Sequence, residues 1–178
     1  MGASDDNIRQ EMIRLLPRLR AFGWSLTRDV TRADDLVQQT CEKALRGLAG
    51  FEPGTRLDAW LFRIMRNSFL DAQRGPRHLE LATDINEVDI GTDQDAARIE
   101  DRLELRAVAR AMSALDQGQR EVLMLVGVEG LRYREAAEAL DLPIGTVMSR
   151  LARARRSLAA MLGRTPPGAE KEVRHEGH

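Results

Sequence analysis

Thr146, Ser149, Arg150 and Arg153 recur at steps of three, one and three, a spacing that gathers them on one side of a helix. Two guanidinium forks beside two hydroxyls can read base edges: arginine donates a pair of hydrogen bonds to guanine, and a hydroxyl donates or accepts. Arg155 and Arg156, nearer the end of the same run, suit phosphate oxygens. The stretch PIGTVMSRLARARRSL, from Pro143 to Leu158, thus carries four arginines, and no acid occurs from Pro143 to Arg164, although the formal net charge of the chain is -1. An ordinary solvated helix face mixes signs. Bulk charge gives little pull on a polyanion here, so the attraction is concentrated on this face.

Other chemistry is poorly provided for. An enzyme needs a nucleophile, a base or metal ligands converging on one point. His78, His175 and His178 fall in polar stretches; His175 and His178 could chelate as a local pair, but a polar terminus holds them loosely. No glycine-rich phosphate loop follows a strand, because no segment reads as a strand. No catalytic residue, metal or cofactor is expected. The lone Cys41 permits no internal disulfide, suits a reducing cytosol and lies beside Leu45 on an apolar helical face, which favours a packing role. The chain has no apolar run near the roughly 20 residues that a membrane span requires. Its opening MGASDDNIRQ has neither the basic region nor the apolar stretch of an export signal. These features imply a cytoplasmic protein with no membrane segment.

The elements that position these side chains all have helical period, so the fold class is all-α. Ile8, Met12, Leu15, Leu16, Leu19 and Phe22 predict a first helix from Asp5 to Thr27, capped by Asp5 or Ser4, with a kink or break at Pro17. Thr31 and Asp34 are spaced as a capping box for a second helix to Leu48, which buries Leu36, Val37, Cys41, Ala44 and Leu45. Pro53-Gly54 marks a turn before a third helix, Arg56 to Arg74, with Leu57, Trp60, Leu61, Ile64, Met65 and Phe69 on its apolar side. Residues 76–97 read as a flexible acidic linker. Helices are then expected from Ala97 to Leu115, Gln117 to Val128, Tyr133 to Leu140 and Ile144 to Leu162, followed by a disordered tail over 164–178.

The last two of these form a helix-turn-helix: a short helix, a tight turn, then a longer helix able to lie in a major groove. Ala136 and Ala137 allow close approach, while Leu140, Leu142, Val147 and Leu151 fix the angle. Asp141 stands where a turn often has glycine. The expected buried stripe of the second helix is Ile144, Val147, Met148, Leu151, Leu158, Met161 and Leu162. By itself this unit would also fit a conventional repressor or activator that binds duplex DNA without polymerase. Such a protein would leave the N-terminal half without a purpose.

RADDLVQQTCEKAL (Arg32 to Leu45), FEPGTRLDAWLFRIMRNSFLD (Phe51 to Asp71) and LDQGQREVLMLVGVEGLRYREAAEAL, continuing through PIGTVMSRLARAR, together resemble a bacterial RNA polymerase sigma factor. The type is the small, two-domain extracytoplasmic-function one, and the general-stress-response subgroup is the nearest match. The resemblance implies a non-catalytic initiation factor that carries core RNA polymerase to a promoter with -35 and -10 elements and assists melting. It implies domain 2 over residues 1–75 and domain 4 over 98–163. Core polymerase, through its clamp coiled coil and its flap, promoter DNA and an anti-sigma factor are the implied partners. No homo-oligomer is required.

Residue by residue, the resemblance implies that Asp34, Asp35, Gln38 and Gln39 dock on the clamp. Read alone, Asp34-Asp35 is a charge pair favourable at a helix N-terminus. Phe51, Thr55 and Arg56 belong to the loop implied to hold a -10 base, with Arg63, Arg66 and Asn67 contacting the melted strand. Thr146, Ser149, Arg150, Arg153, Arg155 and Arg156 are the implied -35 set. Trp60 and Phe62 invite stacking on bases, but Trp60 is in line with Leu57, Leu61 and Ile64, which favours the core. The resemblance also implies that the acidic linker enters the polymerase cleft; solvated disorder explains the same composition equally well.

Overall fold

The computed structural model describes residues 3–52, 54–74 and 106–163, and every regular element among them is a helix. The expected linker and tail lie outside the described residues. In the first half, α1 (Ala3–Thr27) and α2 (Val30–Arg46) lead through a single 3-10 turn, Leu48–Gly50, to α3 (Leu57–Arg74). The second half holds the described part of α4 (106–114), then α5 (Gln117–Val122), which runs on into a π-helical turn at Leu123–Val128. After it come α6 (Tyr133–Ala139) and α7 (Ile144–Met161).

α1, α2 and α3 pack mutually around Leu19, Phe22, Ala33, Ala44, Leu61, Phe62 and Met65, all fully buried. Phe22 and Phe62 meet edge to face with centroids 5.1 Å apart, the arrangement their ring quadrupoles favour. Gly23 permits the close crossing of α1 and α2: a Cβ there would lie 3.3 Å from the Ala33 carbonyl oxygen. In the second half, Val122, Leu125, Ala136, Leu140, Val147, Leu151 and Ala154 fill the space between α5, α6 and α7.

Several local expectations are corrected. α1 runs across Pro17 without a break, because Pro17 is exposed and the carbonyl it leaves unpaired, that of Ile13, belongs to an equally exposed residue that water can serve. The cap of α2 is Asp29, whose carboxylate accepts from the Arg32 amide at 2.8 Å, so the helix starts earlier than the Thr31–Asp34 box predicts. α2 also ends before Leu48, and Leu45 is exposed. Cys41 is half-buried against the core, and burial pushes its thiol up, which disfavours the thiolate.

The two halves pack on each other, α1 against α5 and its π-helical extension, α3 against α6. Arg120 of α5 is buried at the joint. Its guanidinium donates to the Ser25 carbonyl at 2.5 Å and to the Leu115 carbonyl at 2.8 Å, with longer bonds to Met112 and Ser113. One cation thus satisfies carbonyls near the C-terminal ends of α1 and α4, where helix dipoles favour positive charge.

Candidate nucleic-acid interface

The helix-turn-helix is built as its sequence suggests. Ala136 is fully buried where α6 crosses α7, and Asp141 adopts φ 46°, the left-handed conformation that asparagine and aspartate tolerate better than most residues. The Leu142 amide then donates to the Ala137 carbonyl at 2.9 Å, closing the turn. At the start of α6 the Glu135 carboxylate accepts from the Arg132 amide at 2.6 Å.

Along α7, Val147, Leu151 and Ala154 face the core, while Ser149, Arg153, Arg155 and Arg156 are exposed. Thr146 and Arg150 lie at one flank, half-buried. The Arg150 guanidinium rests over Gly118 of α5, so close that a side chain at Gly118 would come 2.7 Å from Nη1. Arg150 therefore leans away from the exposed arginines in this arrangement. The expected buried stripe is narrower than its periodicity suggests: Ile144, Met148 and Met161 are exposed, and small Ala154 and Ala159 make the close packing contacts instead.

The loop before α3 and the start of that helix form a concave surface. Phe51 leans on Trp60 with ring centroids 5.2 Å apart, and both are half-buried. Thr55 donates its hydroxyl to the Glu52 carbonyl at 2.7 Å. A cavity of about 420 Å³ lies here, lined by Gly54, Thr55, Arg56, Trp60 and Arg63, and roofed by Glu135 and Glu138 of α6. Arg63 and Asn67 are exposed on α3. Phe62 is buried beneath Arg18, whose guanidinium sits 5.9 Å from the ring centre, so stacking on a base is closed to it.

Two of the anticipated cations are engaged across the joint. Arg66 donates to Glu121 at 3.0 Å, with 12% and 3% of the two side chains exposed. Arg56 forms a fork with Asp58 at 2.7 and 3.0 Å and reaches Glu135 at 3.1 Å. Arg18 bridges Asp58, at 2.9 Å, and Glu129. Burial alone would push the Asp58 carboxyl up. The bonds from Arg56, its charge, the Ala59 amide and the Arg18 charge outweigh burial and hold it below the ordinary carboxylate value. Sequence reasoning missed Arg18, Asp58, Glu121 and Glu129; the available signal was an acid, Glu121, embedded in the apolar run EVLMLV.

Asp34, Asp35, Gln38 and Gln39 are exposed together on α2, opposite Ala33, Leu36, Val37 and Thr40. Asp34 pairs with Arg20 at 2.5 Å and the Gln38 amide donates to Glu42 at 3.2 Å. Among the described residues no three His, Cys, Asp or Glu side chains cluster as metal ligands, and no helix is long and apolar enough to cross a membrane.

Residues 12–78 match the family described as Sigma-70 region 2, and residues 105–158 match Sigma-70, region 4. The ECF RNA polymerase sigma factor EcfG of Rhodopseudomonas palustris is 38% identical over 163 residues, which cover 88% of this chain and 86% of the relative. The chain belongs to the extracytoplasmic-function sigma factors. RNA polymerase sigma factor CnrH of Cupriavidus metallidurans is likewise 38% identical, over 84% of this chain and 81% of its own. The same fold occurs in the sigma factor RpoE of Bartonella quintana, solved in complex with the anti-sigma factor NepR: TM-score 0.71, 33% identity, 88% of this chain and 97% of that one. This sigma factor therefore directs transcription. The region 2 match takes in the concave surface and the α2 face, and the region 4 match takes in most of the helix-turn-helix.

Proposed function

We propose that this sigma factor reads a two-part promoter with two separate surfaces while bound to core RNA polymerase, itself catalysing nothing. Domain 4, over residues 98–163, places α7 in the major groove of the -35 element. Ser149 and Arg153 face the bases, Arg155 and Arg156 face phosphates, and Thr146 and Arg150 act from the flank. Domain 2, over residues 1–75, holds an unstacked -10 base at the concave surface around Phe51, Thr55 and Arg56 once α6 has moved off it, with Arg63, Arg66 and Asn67 on the single strand.

The observation that carries this reading is the acid-free, arginine-lined face of α7 set in a helix-turn-helix frame, in one chain with the concave surface that the start of α3 forms beneath α6. Arg56 and Arg66 can serve DNA only after exchanging Glu135 and Glu121 for it. Promoter binding therefore includes separation of the halves. Asp34, Asp35, Gln38 and Gln39 offer acids and amides to a basic, hydrogen-bonding partner, the clamp coiled coil, and domain 4 meets the flap. The exposed Arg20–Asp34 pair is worth at most about 1 kcal/mol, too little to withhold Asp34. We assign the protein to the cytoplasm, with an anti-sigma factor as its regulator, as the RpoE–NepR complex suggests.

Arg63→Ala/Asn67→Ala and Arg153→Ala test the two surfaces separately. With core polymerase on one promoter, the first is expected to leave duplex binding nearly intact and suppress opening of the -10 region, read by permanganate reactivity. The second is expected to weaken duplex binding. If both variants failed at the same step, the division of labour would be wrong.

A further inference from the structure

We propose that Met148 reads the C5-methyl group of a thymine in the duplex element beneath α7, with Ile144 and Ala152 completing the apolar contact. The inference rests on the assignment of α7 as the groove-reading helix. Met148 is 51% exposed and Ile144 43%, one helical turn apart, so the two form a patch rather than scattered surface residues. At about 100° per residue, the helix places Met148 between Arg155 and Ala152 on its circumference, with Ser149 further along the same exposed side. The patch is thus continuous with the hydroxyl and arginines already assigned to DNA.

A second observation concerns Gly145. It is exposed in the first turn of α7, and a Cβ added there would meet nothing within 4 Å. No packing demand inside the protein explains the missing side chain. An open backbone at that place suits close approach by another molecule.

The chemistry of the face selects its occupant. No acid lies on it, so a basic partner is excluded and an anionic one is favoured. Among base edges in the major groove, thymine alone offers a methyl group, and apolar side chains meet it by direct contact. Methionine, unbranched and polarizable, suits such an irregular apolar contact. An acidic amphipathic segment of a protein would fit the same charge pattern; the duplex is preferred because the patch lies within the arginine row of a helix-turn-helix.

Deoxyuridine lacks only the thymine methyl. Each thymine of the upstream element is replaced in turn by deoxyuridine, and the affinity of the sigma–core complex for each promoter duplex is measured by competition. At one position the replacement is expected to weaken binding about threefold to tenfold, the scale of one buried methyl. Met148→Ala should lose the same factor on the thymine duplex and bind both duplexes equally, while Met148→Leu should keep the distinction. Met148 is exposed, so these variants fold. If Met148→Ala preserved the thymine preference, or no position responded to deoxyuridine, the proposal would be overturned. Were Met148→Ala instead to loosen an anti-sigma protein and leave DNA binding untouched, the patch would belong to that protein. Failure of Arg153→Ala to affect any duplex would remove the α7 reading itself, a separate result.

Discussion

At the scale of single residues, Arg153 is exposed on α7 within an acid-free run that carries four arginines. Arg153→Ala is expected to cost about 1 to 3 kcal/mol for a lost base contact, with affinity for core polymerase nearly unchanged; titration of both binding steps checks it. The pairings of Arg18, Arg56 and Arg66 were not legible. Arg18 meets an acid 111 residues away and Arg66 one 55 away, and no local pattern encodes such a meeting. Asp58 gives a pH test. Its folded pKa lies below the unfolded value, so its contribution is present above about pH 4 and fades as pH falls through the depressed folded value. Asp58→Asn should therefore unfold more readily than wild type at pH 7, and the difference in denaturant midpoint should narrow below pH 4.

At the scale of elements, the apolar periodicity of α1, α2, α3 and α7 located each helix within a few residues, because each must bury one continuous stripe. Ends and flanks were harder to read. Two oxygen-bearing side chains, Asp29 and Thr31, compete to cap α2, and the outcome depends on backbone geometry: Asp29 takes the extended conformation and its carboxylate reaches the Arg32 amide. Asp29→Ala is expected to cost about 0.5 to 2 kcal/mol in urea unfolding, whereas Thr31→Ala, on the exposed side, should change little. Likewise helical spacing puts Met148 on the buried stripe, and the structure leaves it exposed. What periodicity could not convey was that α7 has neighbours over only a narrow arc, filled by Val147, Leu151 and Ala154.

At the scale of the molecule, the two halves were legible as separate blocks, but their docking was not, since the charged pairs and the apolar core that continue across the joint bring together residues far apart in the chain. Glu121, Glu129 and Glu135 of the second half occupy Arg66, Arg18 and Arg56 of the first. Removing one partner of the buried Arg66–Glu121 pair strands the other charge, at a cost of about 3 to 5 kcal/mol that measures the stranded charge rather than the worth of the pair. Exposed pairs contribute far less. Glu121→Gln should accordingly lower the melting temperature while speeding association of the sigma–core complex with promoter DNA, since Arg66 is released and the halves part more easily. Calorimetry and stopped-flow association read the two quantities, and a fall in both would show that the joint does not restrain binding.

On the proposed reading, core polymerase acquires promoter choice from this chain through a two-part promoter. Transcript starts mapped on a pooled promoter library, with core polymerase in the presence and absence of the protein, test it most directly. Starts confined to templates sharing two upstream elements, and absent without the protein, are the predicted result. Starts that do not change on adding the protein, while the protein alone retains a duplex sequence, would contradict it.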